Sequence, residues 1–171
     1  MTPTDVEQFV AGVIYGLIQK NDFADIKTCL ANAETIGKEA EEAIVDFSKL
    51  SEQGIIDGAE VVFHIVEELP QDLKNCKNMA VDMERIARWT ARFASPTVLI
   101  LTITKNVALR LVGLIKDAKK VVHDWDVKDY YNTGDDVADI LVKILGKVPA
   151  LGEEEELPDL DPESIPFTTW G

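Results

Sequence analysis

His64 is the residue with the most obvious capacity for chemistry, with Glu60 before it and Glu67 and Glu68 after it. On a helix, Glu60, His64 and Glu68 share one face, and an imidazole among carboxylates can hold a divalent metal. The paired Glu-x-x-His spacing of di-iron bundles is missing, so a partly buried histidine beside solvated glutamates is expected. Asp124-Trp125-Asp126-Val127-Lys128-Asp129 opens like a calcium loop. Lys128 stands at a ligand position, however, Asp129 replaces the required glycine, and Asp135 stands where a glutamate should close the loop. Solvated capping aspartates are expected there, with only weak divalent-ion contact open to Asp124, Asp126, Asp135 or Asp136. The sequence holds no GxSxG elbow, phosphate-cradling glycine loop, CxxC pair or HExxH. We therefore expect a non-enzymatic protein with no catalytic residue, no cofactor and no metal. A metal-dependent enzyme using His64 or His123 is the alternative.

The two cysteines are the second source of chemistry. Asp25-Ile26-Lys27-Thr28-Cys29 and Asp72-Leu73-Lys74-Asn75-Cys76 share the pattern D-[I/L]-K-x-C. Repeats about 40–47 residues long are typical of stacked two-helix units, which suggests a duplicated hairpin over residues 5–49 and 52–94. Cys29 and Cys76 would then take equivalent places on neighbouring helices and could form a disulfide. The alternative is two small buried hydrophobes.

Charge supplies the third clue. The chain of 171 residues carries a formal net charge of −14, which argues against nucleic acid as the partner. The charge is polarised. Residues 85–120 carry Arg85, Arg88, Arg92, Lys105, Arg110, Lys116, Lys119 and Lys120 against the single acid Asp117, whereas residues 150–171 carry seven acids and no base. Arg85, Arg88, Trp89 and Arg92 recur along one side of a helix, and with Lys105 and Arg110 they form a candidate partner-binding surface. Ile165, Phe167 and Trp170 form a candidate docking peptide in the acidic tail, since aromatic anchors are a common mode of short-segment recognition.

These residues must be positioned by helices. Val6, Phe9, Val10, Val13, Ile14, Leu17 and Ile18 recur at three- and four-residue spacing, and Thr2-Pro3, or Thr4 with Glu7, can start that helix. A second stripe runs from Ile26 to Phe47, and a third begins at the cap Ser51 and stops at Pro70. A fourth runs from Leu73 to Phe93. Ser95-Pro96 opens a long fifth from Ile100 to Val121. Residues 123–133 read as loop or frayed helix, and residues 134–145 as a sixth helix capped by Gly146. The expected fold is all-α: a bundle or short array of five to six helices in antiparallel hairpins over residues 1–149, with a disordered acidic tail over 150–171. Gly12 and Gly16 stand at a small-xxx-small spacing suited to close packing against another helix. No apolar run reaches the ~18 residues of a membrane span.

The apolar first helix with paired glycines, residues 9–16, is joined by the D-[I/L]-x-x-C motif of residues 25–29. An L-P-x-D-L-x-x-C turn follows at 69–76, and a G-x-D-[I/V]-A-D-I-L helix at 134–141. With these motifs the chain resembles a group of small all-helical proteins predicted from ciliated-protist genomes. The resemblance implies an all-α fold and a secreted protein with a leader, and implies no activity. Asp5 and Glu7 stand where a leader would be basic, so a cytoplasmic protein is expected, or a secreted or lumenal one if a leader was removed. The functional expectation is a protein-binding or assembly protein that meets a protein partner or its own copies. The alternative is a carrier of a lipid or other apolar ligand held near Phe63, Met79, Met83 and Phe93.

Overall fold

The computed structural model describes residues 1–150. Within them lie eight helices: α1 (Pro3–Ile18), α2 (Phe23–Ile26), α3 (Ala33–Ser48), α4 (Glu52–Asp72), α5 (Ala80–Ala91), α6 (Pro96–Leu109), α7 (Leu111–Asp126) and α8 (Tyr130–Leu145). No strand occurs among the described residues. The expected acidic tail lies outside them, apart from Ala150.

Local chemistry explains most helix starts. Thr2 and Asp5 form a capping box on α1, Asp5 N–H donating to Thr2 Oγ1 at 3.1 Å and Thr2 N–H to Asp5 Oδ2 at 2.9 Å. Ser51 accepts from Gly54 N–H, Ser95 from Val98 N–H and Asp129 from Asn132 N–H.

The eight helices differ from the expected five or six in four places. Phe23 to Ile26 form a separate short turn of helix. Pro70 does not end α4, which continues to Asp72. Leu69 and Leu73, both buried, keep this last turn against the core. The long fifth helix is two helices, α6 and α7, meeting at Arg110 with a bend of 98°. Residues 123–133 are mostly helical, since α7 reaches Asp126 and α8 already begins at Tyr130.

The principal partners are α1 with α8 and α3 with α4, while α7 packs on α8 and α3. Helix α1 also meets α3 within residues 5–49, and α4 meets α5 within residues 52–94, while the α3–α4 pair joins the two stretches. Glycine decides the α1–α8 pair. A Cβ on Gly12 would collide with the Tyr131 carbonyl oxygen, and one on Gly134 with the Phe9 carbonyl oxygen. One on Gly16 would lie 2.6 Å from Ala138 Cβ and 2.8 Å from the Asp135 carbonyl oxygen. The two backbones touch because these positions lack side chains. Around that contact Phe9, Ile14, Phe47, Ile55, Ile65 and Trp89 fill one continuous core.

Candidate functional site

Trp89 is completely buried, and its indole Nε1–H donates to the Gly146 carbonyl at 3.2 Å. It is therefore a core residue and not part of a contact surface. Its ring meets Phe63 at 6.4 Å and Phe93 at 5.9 Å. Phe63, Phe93, Met79 and Met83 are likewise buried in this core. Arg85 is half-buried and donates from Nε to the Pro149 carbonyl at 3.2 Å. Arg88 is exposed and pairs with Glu84 one turn earlier at 2.8 Å. Arg92 is half-buried, and Lys105 and Arg110 are exposed. Arg85 and Trp89 thus fasten Pro149 and Gly146 to α5. Ile165, Phe167 and Trp170 lie outside the described residues.

The elbow between α6 and α7 is the unusual surface. Almost every residue of α6 is apolar or threonine, yet only Thr102, Ile103, Asn106 and Val107 are buried. Two of these inward residues are polar and find partners: Thr102 Oγ1–H donates to the Val98 carbonyl at 2.7 Å, and Asn106 Nδ2–H to the Ile144 carbonyl at 2.8 Å. Ile100 is 37 % exposed, Leu101 57 %, Leu109 67 % and Val112 85 %. A helix apolar on all sides is ordinarily enclosed on all sides, so α6 carries an unpartnered face. Exposed apolar clusters of this kind mark interaction surfaces.

Bases border this face. Arg110 stands at the bend, and Lys116 and Lys119 are exposed on α7. Arg110, Gly113, Leu114, Lys116, Asp117 and Lys143 line an open depression of about 300 Å³ on the same elbow. Asp117 accepts from Lys143 Nζ at 2.9 Å, so the one acid of the segment is already paired.

Two buried aspartates escaped the sequence reading as a recurring arrangement. Asp136 on α8 is pushed up to about 8 by burial first, then by its hydrogen bond to Asp124 and that neighbour's charge. Lys120 Nζ stands 3.4 Å from Asp136 Oδ1. Asp22 is pushed up to about 7 by burial, then by its hydrogen bond to Asp82 and that charge. Lys20 Nζ lies 3.0 Å from Asp82 Oδ1. Each site is a carboxyl pair attended by one lysine. A lone aspartate in a helical run gives no sequence signal of such pairing. His64 and Glu68 are exposed and Glu60 is half-buried. The nearest carboxylates of His64 are Glu39 of α3 at 3.5 Å and Glu67 at 3.8 Å. His64, Glu67 and Glu68 could together offer ligand atoms to a metal, but all three are exposed. His123 is exposed near the end of α7.

Residues 1–147, spanning all eight helices, match the SctB-like family, described as secreted protein B-like. The chain belongs to the SctB-like family. This corrects the resemblance to helical proteins of ciliated protists, whose shared motifs are turn and packing patterns that unrelated helical folds also use. No curated protein and no solved structure matches this SctB-like chain.

The SctB-like body also carries a disulfide between Cys29 and Cys76, with Cα atoms 5.3 Å apart. Two neighbouring bonds hold the same junction: Ala31 N–H donates to the Asp72 carbonyl at 3.0 Å, and Asn32 Nδ2–H to Asp72 Oδ1 at 2.7 Å. The link before α3 is thereby fastened to the end of α4. Asp72 is buried, and burial raises its carboxyl above the usual range. Among the described residues no single helix is long and apolar enough to cross a membrane.

Proposed function

We propose that this chain is an exported, non-catalytic binding protein that makes its polypeptide contacts through the α6–α7 elbow. The observation that carries this reading is the set of large apolar side chains that α6 leaves exposed. Its inward stripe is Thr102, Ile103, Asn106 and Val107, while Ile100, Leu101 and Leu109, and Val112 just past the bend, are exposed. The flanking bases Lys105, Arg110, Lys116 and Lys119 favour an acidic partner segment. The acidic segment ending in Ile165, Phe167 and Trp170 is the elbow's counterpart in the same chain. Export accords with the family's description as secreted. It accords as well with a cysteine pair joined as a disulfide, a bond that persists in oxidising compartments. Both favour the secreted alternative over a cytoplasmic one.

A photo-cross-linking residue placed at Leu109 of the full chain tests the contact surface, with Val45 on α3 as the control of similar exposure (60 %). An adduct to polypeptide at Leu109 and none at Val45 is the expected result. No polypeptide adduct at Leu109 overturns the reading.

A further inference from the structure

The elbow needs an occupant, and the chain itself carries a complementary one. We propose that residues 150–171 fold back on the elbow. Ile165, Phe167 and Trp170 then cover Ile100, Leu101, Leu109 and Val112, and the segment's acids lie against Arg110, Lys116 and Lys119. This deepens the proposed function and rests on it.

Three observations support the assignment. The first is the point of departure. The Ile144 carbonyl is held by Asn106 of α6, the Gly146 carbonyl by Trp89 and the Pro149 carbonyl by Arg85. The chain therefore leaves the body beside α5 and α6, bonded to α6 itself within a few residues of its exit. The second is charge. The segment carries Glu153, Glu154, Glu155, Glu156, Asp159, Asp161 and Glu163 and no base. The elbow's own acid, Asp117, is paired with Lys143. The third is reach. The stretch from Ala150 to Ile165 spans up to ~50 Å when extended, whereas α6 is only ~21 Å long. The segment can therefore reach any part of the elbow.

A tethered occupant acts at a high effective concentration, on the order of millimolar for a short flexible link. The segment would shield the apolar face while the chain is alone, and another acidic-aromatic segment would have to displace it. The elbow would then be a surface opened by competition. Each ion pair contributes little at an exposed site, so the aromatic residues anchor the segment and the acids mainly guide it.

The test uses the full chain with the photo-cross-linking residue at Leu109, and compares Phe167→Ser/Trp170→Ser with the parent. An adduct at monomer mass that maps to residues 150–171 is expected. In the double variant that adduct should fall several-fold, and binding of an apolar fluorescent dye should rise several-fold. Glu153–Glu156 replaced by glutamine should make the adduct less sensitive to salt. An adduct only to a second chain overturns the fold-back while leaving the elbow a contact surface. The absence of any polypeptide adduct overturns both. Unchanged dye binding in Phe167→Ser/Trp170→Ser also overturns the fold-back.

Discussion

The Trp89 indole donates its N–H to the Gly146 carbonyl across 3.2 Å, inside the core between α5 and the end of α8. This bond takes up a carbonyl that the helix end leaves without an intrahelical partner. With Arg85 on Pro149 it also fixes where the chain leaves the body. Trp89→Phe keeps most of the ring and removes the donor, and should cost about 1–3 kcal/mol. Trp89→Ala should cost about 3–5 kcal/mol. Denaturant midpoints measure both, and a surface-like change below about 0.5 kcal/mol in Trp89→Ala would contradict the placement.

Two glycine-to-alanine substitutions should act in opposite directions. Gly12→Ala drives a methyl group into the Tyr131 backbone, and should destabilise by about 2 kcal/mol or more because two helix backbones must separate. Gly113 lies in the first turn of α7 with nothing within 4 Å of a Cβ. There alanine should stabilise by about 0.5–1 kcal/mol through helix propensity. Thermal unfolding of the two variants side by side gives the comparison. Equal effects would mean that α1 and α8 are not in backbone contact.

Because Cys29 and Cys76 are bonded, oxidised and reduced protein should differ in intact mass by ~2 Da. Their closure joins the link before α3 to the end of α4. Replacing both by serine should lower stability by about 2–4 kcal/mol, chiefly through the freed unfolded chain. No change in mass on reduction would remove the bond.

The carboxyl pairs predict an unusual slope of stability with pH. Asp136 is held at about 8 in the fold, against ~3.9 for an unfolded aspartate. The native state therefore keeps a proton that the unfolded state releases. Its stabilising effect is full below about pH 4 and is lost as pH rises towards 8. Asp22, at about 7, acts in the same direction. Asp136→Asn should flatten the decline between about pH 5 and 8, and raise stability at pH 8 by about 1–2 kcal/mol. Lys120 and Asp124 face the same group, so urea midpoints should be taken across the range. An unchanged slope in Asp136→Asn would contradict a neutral carboxyl there.

What the sequence made legible was local. Ser51, Ser95-Pro96 and Gly146 mark helix ends because a cap is decided by residues within one turn. The repeated D-[I/L]-K-x-C motif drew Cys29 and Cys76 together, whereas nothing in it signalled that α1 would pack chiefly on α8, far along the chain. Trp89 looked like a surface residue because Arg85, Arg88 and Arg92 surround it in sequence. Arginine stems can lie over apolar ground with their charged ends outward, so basic neighbours do not show which way the ring points. The α6 face was hidden for the opposite reason. Periodicity assumes that apolar residues turn inward, whereas here Thr102 and Asn106 turn inward because partners at Val98 and Ile144 receive them. The Asp22–Asp82 and Asp124–Asp136 pairs join residues that no local pattern connects.

Carbene footprinting of the full chain in its native preparation tests most directly whether the α6–α7 elbow is the protein's contact surface. By side-chain exposure alone Leu109 and Val112, at 67 % and 85 %, should label more readily than Val45 and Val127, at 60 % and 59 %, and Leu101, at 57 %, about as readily. If another polypeptide segment covers the elbow, those three residues label several-fold less than the two controls, and Leu101→Glu/Leu109→Glu restores labelling at Val112. Equal labelling of all five in the parent chain would contradict the claim.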